Sequence, residues 1–105
     1  MKDLFVFNSA ENEVEVNSPD ILLIKEFADL WDIDRNKSKD DPTGKLRKRA
    51  FRELKYIYLM INWKSPYADY SEGERHQECL KDAELTEKEW ADPVFRAACR
   101  KYKEL

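Results

Sequence analysis

The chain has 105 residues, of which 42% are hydrophobic and 39% charged, and its net charge is −3 at pH 7. This length fits one domain, residues 1–105, with a single modest core, and two glycines with four prolines argue against both disorder and a loop-rich β-sandwich. No apolar run approaches the roughly 18 residues of a membrane span, and the first residues place acids close behind a short apolar run, unlike a signal peptide.

The first 17 residues predict a short β-hairpin or an extended arm. Leu4 and Val6 precede the sequence "NSAEN", which is typical of a turn, and Val14 and Val16 follow it. Because an isolated two-stranded hairpin is only marginally stable in water, both forms stay open.

Residues 18–105 predict a mainly α domain with four or five helices around one long central helix. A serine and a proline at positions 18 and 19 supply an N-cap hydroxyl and a first-turn proline, which together favour a helix start. From Asp20 to about Trp31, apolar residues cover most of the circumference, which predicts a buried helix or one with two packing partners. The polar segment "DIDRNKSKDDPTGK", residues 32–45, predicts a flexible loop.

The central helix is predicted to begin at an Asp-Pro pair, positions 41 and 42, and to continue without a break to about position 63. One face carries a stripe of core residues: Leu46, Ala50, Leu54, Ile57 and Ile61. The opposite face is basic over residues 45–55 and becomes apolar in the second half, "YIYLMINW". The residues that extend this face are Tyr56, Leu59, Met60 and Trp63. The far end of the helix therefore needs a second packing partner.

Two capping boxes predict further helices, because each pairs an N-cap hydroxyl with a glutamate three residues on: Ser71 with Glu74, and Thr86 with Glu89. The helix over residues 72–83 has a thin apolar stripe: Cys79, Leu80 and Ala83. The last helix starts again at an Asp-Pro pair, positions 92 and 93, and its inward-facing residues are Val94, Phe95, Ala98, Cys99 and Tyr102.

The one histidine, His76, is the only candidate for metal chemistry. With Cys79, Cys99 and a carboxylate such as Glu72, it would complete a tetrahedral zinc site. The spacing matches no compact zinc pattern and both cysteines fall on apolar stripes, so we predict that they are reduced, buried and metal-free. A Cys-His nucleophile lacks an orienting third group and both glycines are solitary, so the sequence predicts no enzyme and no cofactor. Two cysteines make no disulfide framework, which favours assembly in a reducing cytoplasm.

Charge is distributed unevenly along the chain. Residues 1–34 carry nine acids and two bases, whereas residues 35–55 carry nine bases and three acids. Four basic residues of the central helix form a candidate partner-binding face: Lys48, Arg49, Arg52 and Lys55. This face is interpreted as a solvated helix face, as a contact with an acidic protein surface, or as a contact with nucleic-acid phosphates. The isoelectric point of about 5.3 disfavours the last interpretation.

The stretch "NWKSPYADYSEGER", residues 62–75, breaks the central helix and carries three large amphipathic rings: Trp63, Tyr67 and Tyr70. Rings of this kind lie where two surfaces meet. The cluster follows directly on the apolar far end of the central helix. Either the last two helices fold back and cover that end, or part of it meets a neighbouring subunit, where Tyr and Trp are concentrated.

The segment "ELKYIYLMINWKSPYADYSEGER" and the tail "FRAACRKYKEL" resemble small virion structural proteins of tailed bacteriophages, with head–tail connector or ring proteins of crAss-like phages as the nearest type. The resemblance covers roughly residues 52–105 and consists of a tyrosine-rich helix, a Ser-Pro-Tyr break and a Glu-x-Arg helix start. It implies a non-enzymatic, oligomeric role in the virion, assembled in the host cytoplasm, with copies of itself, portal or ring proteins and packaged DNA as partners and no membrane. The alternative is a small nucleic-acid-binding or regulatory module that uses the basic face of residues 45–55.

Overall fold

An antiparallel hairpin begins the described part of the chain, which in the computed structural model comprises residues 4–16 and 18–105. Its strands are β1 (Val6–Asn8) and β2 (Glu13–Glu15). The Asn8 side chain accepts hydrogen bonds from the backbone amides two and three residues on, so "NSAEN" folds into the turn that its composition predicts. The predicted hairpin is confirmed, while positions 1–3 and 17 of the predicted arm lie outside the described residues.

Six α-helices follow in the described residues, three of them long, where the sequence predicts four or five. They are α1 (Lys25–Leu30), α2 (Ile33–Asn36), α3 (Lys48–Ile61), α4 (Glu72–Ala83), α5 (Glu87–Trp90) and α6 (Pro93–Glu104). A 3₁₀ helix, Pro19–Leu23, precedes α1. The prediction of a mainly α fold with an N-terminal hairpin is confirmed. None of the helices in this described part has the length and apolar composition needed to cross a membrane.

The hairpin packs against the central helix, α3, instead of extending into solvent. Phe5 and Val14 are buried together with helix side chains, and the ring of Phe7 stacks on that of Tyr58, with 5.2 Å between the ring centroids. Helix α3 also contacts α4 and α6, and α1 packs on α6. The buried apolar side chains form one cluster, whose largest fully buried members are Phe27, Phe95, Ile21, Leu30, Leu54, Ile57 and Leu59.

The helix predicted for residues 20–31 is interrupted at Ile24, so this prediction is wrong in its continuity. Ser18 caps the 3₁₀ helix as predicted, because its Oγ accepts a hydrogen bond of 3.2 Å from the amide two residues on. Ile24 is extended (φ −97°, ψ 116°), so it ends the 3₁₀ helix and precedes the first residue of α1. Leu23 is turned outward as a result, with 83% of its surface exposed, so the segment is not buried on all sides.

The polar segment over residues 32–45 folds into defined structure where the sequence predicts a flexible loop. It contains α2, whose last residue, Asn36, is fully buried. The side-chain nitrogen of Asn36 donates to the carbonyls of Leu30 and Asp32, both at 2.8 Å. Its side-chain oxygen accepts from the Ala50 amide at 2.9 Å, which satisfies one of the free N–H groups in the first turn of α3. A side chain of the predicted loop therefore fixes the start of the central helix.

Helix α3 begins at Lys48, about six residues later than the sequence predicts. Residues 42–47 form turns, and Arg47 adopts a left-handed conformation (φ 51°) that a continuing helix excludes. The buried carboxylate of Asp41 accepts from the amides of Leu46 and Lys48, so it caps the helix across these turns. Leu46 lies outside the helix with 63% of its surface exposed, and its predicted place in the core is wrong.

The second packing partner of α3 is α4 of the same chain. Tyr56 and Leu59, which the sequence places on the exposed continuation of the basic face, are both buried. Met60 is partly buried, and only Trp63 of this predicted set is strongly exposed. The far end of α3 is therefore covered mostly from within.

The predicted ends of α4 and the predicted start of α6 are confirmed. The box of Thr86 with Glu89 closes in both directions, as predicted. Ser71 caps α4, but the Glu74 carboxylate binds the Ser71 hydroxyl and not its amide, so this second predicted box is incomplete.

Candidate functional site

Glu53 of α3 is the centre of a charged cluster inside the fold. Its side chain has no exposed surface, and each of its two carboxylate oxygens accepts a hydrogen bond of 2.5 Å from Arg35 of α2. Arg49, one turn earlier on α3, places its Nε 3.6 Å from the same carboxylate. Burial raises the pKa of Glu53 above its usual value, and the two guanidinium groups oppose that shift. The two parallel hydrogen bonds between Arg35 and Glu53 offset the free-energy cost of removing these charged groups from water.

Asp92 extends the cluster to the start of α6. Its Oδ2 accepts from Arg49 at 2.8 Å and from Arg35 at 3.3 Å. Its Oδ1 accepts from the Val94 amide at 2.9 Å and so acts as the N-cap of α6. Two arginines and two acids therefore join α2, α3 and α6 with no net charge.

The predicted basic partner-binding face is largely neutralised by the acids of this chain. Arg49 is bound in the cluster, and Arg52 donates to Glu89 of α5 at 3.4 Å. Lys48 and Lys55 line a surface cleft of ≈430 Å³ together with acids from β2 and α4. Only these two lysines, of the four predicted contact residues, make no ion pair within the described residues.

The turn between α3 and α4 carries the predicted aromatic cluster, the aromatic corner (Trp63, Tyr67 and Tyr70). The Tyr67 hydroxyl donates to Asp82 of α4, and its ring packs edge-on against Tyr70, with 5.1 Å between centroids. Tyr70 remains exposed, and Trp63 has 79% of its surface exposed. Helix α4 thus covers one ring of the corner and leaves two open.

Hydrogen bonds to the end of α3 fix the backbone of the aromatic corner. The Ser65 hydroxyl donates to the Leu59 carbonyl at 2.5 Å, and the Arg75 guanidinium donates to the carbonyls of Leu59 and Asn62, both at 2.9 Å. The Asn62 side chain donates to a tyrosine hydroxyl of α6 at 2.8 Å. Because these donors satisfy carbonyls that a helix end leaves free, Trp63 projects from a fixed backbone.

A polar network of aromatic side chains joins α3, α4 and α5. The indole Nε1 of Trp90 donates to the Tyr56 hydroxyl oxygen at 2.9 Å, and that oxygen lies 2.7 Å from Nδ1 of His76. The other ring nitrogen of His76, Nε2, lies 3.5 Å from the Glu87 carboxylate. The sequence does not reveal this network, because the partners of His76 lie on other helices.

This network lines an open groove between α3, α4, α5 and α6, the α6 groove. It consists of two adjoining clefts of ≈410 and ≈320 Å³ that share Met60, Ile61, Glu72 and Lys103. The first cleft contains the aromatic network, and Tyr70 of the aromatic corner lines the second. The groove and the corner are therefore one continuous surface.

Both cysteines are buried free thiols, as the sequence predicts. Burial raises the pKa of Cys79 to about 12 and that of Cys99 to about 11, so both are protonated at neutral pH and neither is an activated nucleophile. In residues 4–16 and 18–105, no group of three or more His, Cys, Asp or Glu side chains is placed to hold a metal ion. The metal-free state stays a prediction.

No protein-family model, curated protein or solved structure matches the chain. The aromatic corner, the α6 groove and the charged cluster are therefore interpreted from their own geometry and chemistry.

Proposed function

We propose that this protein is a non-enzymatic structural subunit of a tailed-phage virion, an oligomeric connector or ring component at the head–tail junction. In this role it contacts copies of itself and portal or neighbouring ring proteins. The resemblance of residues 52–105 suggests the role, and the display of Trp63 by the aromatic corner is the observation that carries it.

The aromatic corner has the properties of a protein-binding anchor. Trp and Tyr are enriched among the residues that dominate binding energy at protein interfaces. A side chain held on a fixed backbone loses little conformational entropy when a partner covers it. The backbone around Trp63 is held by Ser65 and Arg75, while the indole itself stays 79% exposed. The Lys64 ammonium lies 5.3 Å from the ring centre, and the rest of the indole surface is open to a partner.

The chemistry of the α6 groove supports a binding role over a catalytic one. His76 and Cys99 both line its first cleft, which is the pairing that a thiol nucleophile requires. Burial holds the Cys99 thiol protonated, whereas catalytic cysteines have a lowered pKa. The Nδ1 atom of His76 lies within hydrogen-bond distance of the Tyr56 hydroxyl, and its Nε2 lies 3.5 Å from the Glu87 carboxylate. Both ring nitrogens therefore contact side chains of neighbouring helices.

The nucleic-acid alternative is disfavoured by the ion pairs of the basic face. Phosphate binding requires clustered cations that are free to exchange their counterions. Arg49 and Arg52 already bind Asp92 and Glu89. The two remaining lysines, positions 48 and 55, share their cleft with four acids of this chain: Glu13, Asp40, Asp82 and Glu84.

Substitution of Trp63 by alanine tests the proposed role. We expect the free energy of unfolding to change by less than about 0.5 kcal/mol, because the ring is exposed. Incorporation into assembled particles is expected to fall by roughly 30-fold or more, which corresponds to the loss of about 2 kcal/mol that a central aromatic anchor contributes. Leu46→Ala, which shortens another exposed apolar side chain outside the corner, is the matched control. Normal incorporation of the Trp63 variant would refute the assignment of this surface.

A further inference from the structure

Helix α6 carries a row of basic side chains that is separate from the basic face of α3. Arg96, Arg100 and Lys103 follow one another at intervals of four and three residues, so they share one face of the helix. None of the three takes part in an ion pair within the described part of the chain. The guanidinium of Arg96 lies 4.1 Å from the centre of the Trp90 ring. This row offers the free positive charge that the sequence had assigned to the central helix.

The same three residues form the basic side of the α6 groove, whose floor is apolar. Met60 and Ile61, which line both clefts, form this floor, and Glu72 is the one acid among the described residues that lines either cleft. No residue of the hairpin, the 3₁₀ helix or α1 lines the groove. The groove is therefore open to a ligand that combines an apolar anchor with acidic surroundings.

A surface of that description exists elsewhere on the chain. Leu22 and Leu23 project from the 3₁₀ helix as two adjacent exposed leucines, here called the leucine knob. The segment that carries it, residues 18–34, contains five acids and one base, so it keeps a net negative charge although Lys25 pairs with Asp29 and Lys37 pairs with Asp34. Neighbouring large apolar side chains that are both exposed mark an interaction site more often than isolated ones do.

We propose that the leucine knob of one copy of this protein binds in the α6 groove of the next copy. The two leucines cover the apolar floor, and the acidic segment faces Arg96, Arg100 and Lys103. Because the knob and the groove are different surfaces, the contact is heterologous and repeats head to tail, closing a ring or extending a filament. Complementary charge sets the orientation and speeds docking, and added salt weakens it.

This contact rests on the proposed structural role in one respect, that copies of the chain meet one another. In this contact the basic row on α6, and not the basic face of α3, meets the acidic segment of the neighbouring copy. The helix face around Arg49 and Arg52 is then part of the folded subunit and not part of the contact.

Two variants that each destroy one side of the contact test the proposal. Leu23→Asp removes the knob and leaves the groove intact, whereas Arg100→Glu reverses the groove and leaves the knob intact. Both positions are exposed, so circular dichroism and thermal unfolding of each variant should match the wild-type protein. Sedimentation equilibrium measures the association. We expect the wild-type protein to self-associate as its concentration approaches about 1 mM, because even a contact with a Kd of about 1 mM is roughly half occupied at that concentration. Each variant alone is expected to stay monomeric, and an equal mixture should form a heterodimer and nothing larger.

Leu46→Asp and Lys81→Glu are the matched controls, because the first repeats the Leu-to-Asp change and the second repeats the charge reversal, both at exposed positions outside the two surfaces. These controls should associate as the wild-type protein does.

A wild-type protein that remains monomeric at about 1 mM in low salt would overturn the proposal, as would a mixture of the two variants without heterodimer. Loss of association on Trp63→Ala but not on Leu23→Asp would also overturn it, in favour of the aromatic corner. If the protein is present in particles but monomeric in solution, this contact alone is refuted. If it self-associates in solution but is absent from particles, the structural role alone is refuted.

Discussion

Replacement of Glu53 by alanine is expected to lower the free energy of unfolding by about 3–5 kcal/mol. The substitution removes the acceptor of two short hydrogen bonds and leaves Arg35 with only the 3.3 Å contact to Asp92. A guanidinium that stays buried without its partner costs more than the pair contributed, which is why the loss exceeds that of a surface ion pair. Chemical denaturation followed by circular dichroism measures the change.

Two further substitutions separate burial from charge in this prediction. Glu104→Ala removes an exposed partner of Lys101, 3.8 Å away, and should change the free energy of unfolding by no more than about 1 kcal/mol. The double variant Arg35→Met with Glu53→Leu removes both charges together and is expected to recover most of the stability that Glu53→Ala loses. Equal losses for Glu53→Ala and Glu104→Ala would mean that the buried cluster does not hold the helices together.

Replacement of Leu54 by alanine is expected to lower the free energy of unfolding by about 2–5 kcal/mol, since it opens a cavity in a packed core. Leu54 is fully buried among the side chains of the single hydrophobic cluster. Leu46 is the matched control, because the sequence places both leucines on one core stripe while the structure leaves Leu46 63% exposed. For Leu46→Ala, the free energy of unfolding measured by thermal or urea denaturation should change by less than about 0.5 kcal/mol. Similar losses at both positions would restore the longer helix that the sequence predicts.

The parts of the fold that depend on neighbouring residues were predicted correctly from the sequence. The caps at Ser18, Thr86 and Asp92 depend on side chains within three residues of the amides that they bind, so the local sequence contains the information. The hairpin turn is local in the same way, since Asn8 binds amides two and three residues on. These elements were predictable.

The start of α3 was not predictable from local pattern. An aspartate before a proline normally caps the next turn, but here Asp41 binds amides five and seven residues on. Asn36 reaches the same helix from 14 positions away. Such long-range acceptors allow the intervening residues to form turns, and the apolar period alone does not reveal them.

The ion pairs of the basic face were not predictable for the same physical reason. A row of bases on a helix has the same appearance in sequence whether its acids lie in solvent, in a partner or elsewhere in the chain. The partner of Arg49 is 43 positions away and that of Arg52 is 37 positions away. Trp63 stays exposed, so contact with a neighbouring subunit stays a prediction, and the groove beside it forms only where four helices meet.

Quantitative mass spectrometry of purified, DNA-filled particles is the most direct test of the structural role. Particles are separated from free protein by density and the copy number of this chain is measured relative to that of the portal protein. The proposed role predicts a constant ratio of the two proteins across independent preparations. Absence of the chain from the particles, with recovery only in the soluble fraction of the cells, would contradict it.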